Sequence, residues 1–334
     1  MNFSIGITGL PNVGKSTLFN ALTQDQVDIS NYPFCTIEPN VGVVEVPDQR
    51  LRKIAEVVEP EKVTPTVIEF VDIAGLVKQA HEGEGLGNQF LANIRECDAI
   101  LEVVRAFPSE KIKHVEDKVN PQRDIEIINT ELIMKDLQTV EKALEEEHSA
   151  QEVLLKLKKA LGQEELIAEL NLSPEQKQAI KEFQFLTAKP VIYLLNVNNG
   201  LKQEVTVEPK LTLNVKLEQE ISQLSSAEKE ELEMEPHLDK LIKACYNSLN
   251  LITFYTIAGG KEARAWTLQR GKSCPEAGGV VHSDFEENFI KAQVVNWQNL
   301  VEAGSWKNAK QQGLVRTVGQ DYIVQNHDII KFKI

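Results

Sequence analysis

The chain has 334 residues, 42% hydrophobic and 26% charged, enough for two domains with a large core. It has no apolar run long enough to cross a bilayer and no basic region ahead of the first apolar stretch, so neither a membrane span nor an export signal is expected. Its net charge of −14 argues against a general nucleic-acid coat, yet from Leu251 onward 10 Lys and Arg face 8 Asp and Glu, which sets that part off as a module with partners of its own.

Residues 3–8 read as a strand and residues 17–22 as a helix. Between them Gly9-Leu10-Pro11-Asn12-Val13-Gly14-Lys15-Ser16 fits the phosphate-binding pattern G-x-x-x-x-G-K-[ST]. A triphosphate needs donors without bulk. Gly9 and Gly14 let main-chain amides curl around phosphate oxygens, and the helix N-terminus adds its dipole. Lys15 is expected to reach the β- and γ-phosphates and Ser16 to ligate Mg2+.

Residues 31–40, with two prolines and two asparagines, form a loop in which Thr36 can swing onto Mg2+ when a γ-phosphate is present. Residues 41–46 and 66–71 read as strands. The second runs into Asp72-Ile73-Ala74-Gly75. An Asp at the carboxyl end of an apolar strand can hold Mg2+ through water, and Gly75 can donate its amide to the γ-phosphate. Leu76 then stands where Ras-like GTPases place the Gln that orients the attacking water. Residues 81–88 carry three alternate glycines and read as a mobile switch.

A strand over 99–105 ends near Phe107. His114 follows in a polar loop and is either simply solvated or, if the loop folds over the γ-phosphate, able to orient water. From Asp124 apolar residues recur at helical spacing, and Ser173-Pro174-Glu175-Gln176 reads as a cap starting a further helix. Residues of about 121–189 are therefore expected as an inserted, coiled-coil-like helical arm, or as extra helices packed on the sheet. The α/β pattern resumes with a strand at 189–195, ending in Asn196-Val197-Asn198-Asn199 where GTPases carry N-K-x-D. An Asp there accepts both guanine donors, whereas the Asn199 amide offers a donor as well as an acceptor, so guanine preference is expected to weaken. Asn196 can pair with N7, and Val197 offers the base an apolar edge.

Residues 217–249 read as acidic helices with a capping box at Ser225-Ser226-Ala227-Glu228. Short strands follow at 251–256, 264–268, 320–324 and 329–332, with a short helix after residues 280–286. His282 and Asp284 suit turn and cap roles. Cys35, Cys97, Cys245 and Cys274 lack metal spacing and read as reduced thiols of a cytoplasmic protein.

The phosphate loop, Asn31-Tyr32-Pro33-Phe34-Cys35-Thr36-Ile37-Glu38-Pro39-Asn40, Asp72-Ile73-Ala74-Gly75-Leu76-Val77 and the Gly-rich segment together resemble the Obg-like ATPase family, the YchF branch of the Obg-type translational GTPases, over almost the whole chain. The resemblance implies an α/β P-loop G domain over 1–250 with the helical hairpin inserted, and a C-terminal TGS domain of β-grasp type over 251–334. Trp266, His282-Ser283-Asp284-Phe285 and Tyr322 match the latter. It also implies a cytoplasmic, non-membrane ATPase, expected as a monomer, that takes ATP in preference to GTP and associates with the ribosome or a subunit as a regulator of translation or stress response. An Obg-type GTPase, or a nucleotide-switched ribosome-binding protein with negligible turnover, are the alternatives.

By the same resemblance His114, ahead of Val115 and Lys118-Val119-Asn120-Pro121, substitutes for the missing Gln. The catalytic set is then His114, Lys15 and Gly75, and the metal set Ser16, Thr36 and Asp72. The nucleotide-binding set is Asn12, Val13, Gly14, Lys15, Ser16, Thr17, Phe107, Asn196, Val197 and Asn199. Departures from the family are Asn199, where a carboxylate is usual, and Asn214, where a base-contacting hydroxyl or thiol is expected and which is expected to stand in for it in part. Asn12 occupies the place of an Asn that binds K+ in potassium-using GTPases, so K+ stimulation is expected unless Asn12 only stabilises the loop.

Overall fold

The computed structural model describes residues 3–24, 27, 32, 38–73, 86–109, 113–146, 150–198, 205–225, 228 and 237–334, with residues 86–89 as backbone alone. The short apolar runs of the N-terminal part form β1 (Ser4–Thr8), β2 (Val41–Glu45), β4 (Val67–Asp72), β5 (Ala99–Arg105), β6 (Val191–Asn196) and β7 (Lys210–Leu213), in the sheet order β2-β4-β1-β5-β6-β7. Only β2 runs antiparallel to its neighbour. A parallel sheet covered on both faces needs continuous apolar strands, and β5 is buried at every position. Residues from α1 (Lys15–Leu22), α3 (Leu86–Glu96), α7 (Val215–Ser222) and α8 (Leu238–Ser248) complete this core, among them Leu18, Ile94, Val215 and Leu241. The chain leaves β1 toward β4 on one side and returns to β5 on the other. That reversal opens a crevice at the carboxyl ends of the strands, where ligands of open α/β sheets bind.

α4 (Pro121–Glu145) does two jobs along its length. Ile128 and Leu132 pack into the sheet core, whereas Val140 and Ala143 join Leu154 and Leu157 of α5 (Gln151–Leu161) in a separate core. The inserted arm is thus rooted on the sheet by the first half of α4 and self-supporting beyond it. Asp136, fully buried, fixes the return of the chain by accepting from the amides of Leu186 and Thr187 and from Thr187 Oγ1 at 2.7–2.9 Å. α6 (Pro174–Ala179) starts at the cap the sequence predicts at Ser173, which the structure closes as a full capping box with Gln176.

A second sheet has the order β11-β10-β12-β8-β9-β3. Its strands are β8 (Leu251–Ala258), β9 (Glu262–Gln269), β10 (Lys291–Asn296), β11 (Arg316–Val318), β12 (Asp328–Lys333) and, from the N-terminal part, β3 (Lys62–Thr64). β3 pairs parallel with β9, and α2 (Gln49–Val58) sends Leu51 and Ile54 into the core around Tyr255 and Leu300. α9 (Cys274–Val281), α10 (Ser283–Glu287), α11 (Trp297–Ala303) and α12 (Trp306–Gln311) complete this part. His282 caps α10 by accepting the Asp284 amide on Nδ1 at 3.1 Å, as expected.

The strand expected over 320–324 is absent. That stretch is a turn with a single isolated bridge from Ile323 to Ser273, because its backbone bonds the segment leading into α9: the Tyr322 carbonyl accepts the Cys274 amide at 2.8 Å and the Val324 amide donates to the Lys272 carbonyl at 3.1 Å. Arg316–Val318 takes the edge instead. β10, unforeseen in the sequence, lies between β11 and β12 with Ala292 and Val294 buried.

Candidate functional site

The loop after β1 is shaped by two glycines that nothing else can replace. Gly9 has φ 144° and Gly14 φ 108°. A Cβ on Gly9 would lie 2.4 Å from the Val103 carbonyl oxygen, and one on Gly14 would lie 2.6 Å from Asn196 Nδ2. Gly14 caps α1 without a side-chain hydrogen bond, so no side chain competes with an anion for the first-turn amides. Lys15 is buried, and its Nζ donates to the carbonyls of Gly9 at 3.1 Å and Leu10 at 2.9 Å. Burial pulls its pKa down to about 8, against the attraction of Asp72. An ammonium poised over its own loop, in a site that disfavours its charge, is matched to a polyanion.

Asp72 is the last residue of β4 and pairs in register with Ile7 of β1, next to the loop. Ser16 is exposed and Thr17 half-buried at the start of α1. The Ser16 hydroxyl, next to Lys15 in the chain, and the Asp72 carboxylate, close enough to attract the Lys15 ammonium, are hard oxygen donors, a donor set that fits Mg2+, which prefers one or two carboxylates together with phosphates and water. Thr36, Gly75, Leu76 and residues 81–85 lie outside the described residues; residues 86–88 open α3.

At the far side of the loop, Asn196 closes β6 opposite Arg105 of β5. Its Nδ2 donates to the Val13 carbonyl at 2.8 Å, and its Oδ1 accepts the Val215 amide at 3.2 Å. The side chain expected to read N7 is therefore first a clamp between the phosphate loop and α7, with one N–H left for a ligand. Val13 and Val197 are buried beside it. Phe107 is half-buried and carries the Arg105 guanidinium 4.7 Å from its ring centroid, while Arg105 Nε donates to the Phe107 carbonyl. Asn214, expected near the base, spends its Oδ1 capping α7 on the Leu217 amide at 3.1 Å. Asn199 lies outside the described residues.

His114 is neither solvated nor turned to the phosphate loop. It is 4% exposed, with Nε2 2.9 Å from Asp124 Oδ2 and Nδ1 accepting the Glu116 amide at 3.0 Å. Nδ1 as acceptor places the proton on Nε2, donated to Asp124. Its backbone still borders the loop, since Asn12 Nδ2 donates to the Lys113 carbonyl at 3.5 Å. Behind it Glu102 is buried with both carboxyl oxygens unpartnered among the described residues. Burial first, and the negative charge of Asp124 second, push its pKa well above the usual carboxylate range. Asp124 and Glu102 escape a motif search, although a lone Glu inside the apolar run Ala99–Arg105 was a visible anomaly.

These features define a P-loop nucleoside triphosphatase with a G-type sheet. A family of 50S ribosome-binding GTPases matches residues 4–135, and the YchF GTPase C-terminal family, described as a protein of unknown function, matches residues 251–334. The ribosome-binding ATPase YchF of Bacillus subtilis is 45% identical over 368 residues, spanning 100% of this chain and 99% of the relative. The protein of the same name from Escherichia coli O157:H7 is 45% identical over 360 residues, spanning 99% of each. The solved structure of the Schizosaccharomyces pombe YchF GTPase matches with a TM-score of 0.87 at 34% identity, over 99% of this chain and 98% of that one. The chain belongs to the YchF family.

Proposed function

We propose that this chain hydrolyses ATP, with GTP the poorer substrate, in a Mg2+-dependent cycle on the ribosome or a ribosomal subunit, where it regulates translation or a stress response. The observation that carries this reading is the phosphate loop at the carboxyl end of β1, with Lys15 folded over it and Asp72 alongside, in a chain aligned end to end with ribosome-binding ATPases. In this reading Val13, Gly14, Lys15, Ser16 and Thr17 bind phosphates. Ser16, Thr36 and Asp72 hold the Mg2+, which supplies neutralisation of charge on the β- and γ-oxygens. Gly75 donates its amide to the γ-phosphate, and His114 positions the attacking water. Phe107, Asn196, Val197 and Asn199 surround the base, and Asn12 carries a K+ that stimulates turnover. The G domain spans 1–250 and the TGS domain 251–334. The protein works as a cytoplasmic monomer; among the described residues no helix is long and apolar enough to cross a membrane.

Competition between ATP and GTP for the purified protein tests the base preference, and tenfold tighter GTP overturns it. Equal turnover in sodium and potassium overturns the role of Asn12. One observation favours a second reading, a nucleotide switch with negligible turnover: both ring nitrogens of His114 are occupied. Unchanged turnover in His114→Ala would select that reading.

A further inference from the structure

Burial in the loop ahead of α4 runs against side-chain chemistry. His114 is 4% exposed, whereas its neighbour Val115 is 46% exposed. An imidazole kept inside beside a valine kept outside needs a specific partner. Asp124 is that partner, through the 2.9 Å bond to Nε2. Arg123 strengthens the arrangement from the same helical turn. Its Nη2 and Nε donate to Asp124 Oδ1 at 2.8 and 3.2 Å. The same guanidinium donates to the carbonyls of Glu116 at 3.4 Å and Lys118 at 2.7 Å. The first turns of α4 thus grip the loop at residues 114, 116 and 118, one residue beyond the point where Lys113 meets Asn12 of the phosphate loop. In this position the imidazole has neither a free donor nor a free acceptor to offer a water molecule.

We propose that Asp124 is a positioning residue that latches His114 in a stowed position, and that hydrolysis requires this latch to open, turning His114 out toward the phosphate loop and Val115 in. The inference rests on the reading of His114 as the water-positioning group. Asp124 is buried and acts through His114. The hydrogen bond it makes with His114 holds a two-position loop in its inactive setting, and the exposed Val115 is the cost that biases the loop toward release.

The test is Asp124→Asn in the full chain, which keeps the size of the side chain and removes its charge. Two quantities are read: turnover at saturating ATP with Mg2+, and the rate at which diethylpyrocarbonate modifies His114 in the nucleotide-free protein, followed by peptide mass spectrometry with exposed His282 as internal reference. In the unsubstituted protein His114 reacts at least about tenfold more slowly than His282. In the variant its rate rises toward that of His282, and kcat rises about fivefold with KM little changed, as expected when a charge-assisted hydrogen bond becomes a neutral one. Unchanged protection of His114, or a fall in kcat once His114 is exposed, overturns the latch. If the variant does not fold, Arg123→Gln, which loosens the grip on Glu116 and Lys118, is read in the same way with the same two outcomes. Unchanged turnover in His114→Ala would remove the hydrolytic role of His114 and leave the modification result standing, so the two failures are distinguishable.

Discussion

Removing the Asn196 amide separates its two candidate roles. In Asn196→Ala the Val13 carbonyl and the Val215 amide both lose their side-chain partner in a buried place. A buried polar group left unpaired costs about 1–3 kcal/mol, so the pair costs about 2–6 kcal/mol, a large share of the stability of a typical domain. Because Nδ2 also packs against Gly14, the phosphate loop loosens with it, and nucleotide affinity falls at least about tenfold. Urea unfolding of the nucleotide-free protein reads the first effect, and fluorescent ATP-analogue binding reads the second. A variant within about 0.5 kcal/mol of the unsubstituted protein that still loses affinity would refute the clamp and return Asn196 to direct base recognition.

Lys15 titrates near 8 in the fold against 10.5 unfolded, so the folded state binds fewer protons and stability rises with pH through that window. From pH 7 to 9, in EDTA without nucleotide, the gain is about 1 kcal/mol, and it is missing from Lys15→Met; parallel urea midpoints for the two proteins would contradict it. Gly9→Ala drives a Cβ onto the Val103 carbonyl at a backbone angle that alanine resists. A loss of more than about 1 kcal/mol in thermal unfolding, together with lost nucleotide binding, is the expected outcome. Burial raises the thiol pKa of Cys97 to about 11 and of Cys274 to about 12, and raises that of Cys245 further. Iodoacetamide at pH 8 therefore leaves these three unmodified in the folded protein and alkylates them in urea, as mass spectrometry can follow.

The phosphate loop, the cap at Ser173 and the strands bearing Asp72 and Asn196 were legible because each depends on residues a few positions apart: a glycine at positive φ, a side chain bonding an amide three residues on, an unbroken apolar run. The β3 strand was not, since three residues with one buried side chain become a strand only by pairing with β9, some 200 positions away. The strand expected at 320–324 failed for the complementary reason: its backbone groups pair with Lys272 and Cys274, far back along the chain and outside the strands of the sheet.

The same division runs through the site. The shape of the phosphate loop, with Gly9 and Gly14 at positive φ and Lys15 folded back onto its carbonyls, follows from local geometry and so from the order of residues 9–16. The orientation of His114, the clamp made by Asn196 and the raised pKa of the buried Glu102 behind them depend on which distant groups packing brings close. Side-chain hydrogen bonds and desolvation act over a few ångströms in space whatever the separation along the chain, and only the folded arrangement of β5, β6 and α4 sets those distances.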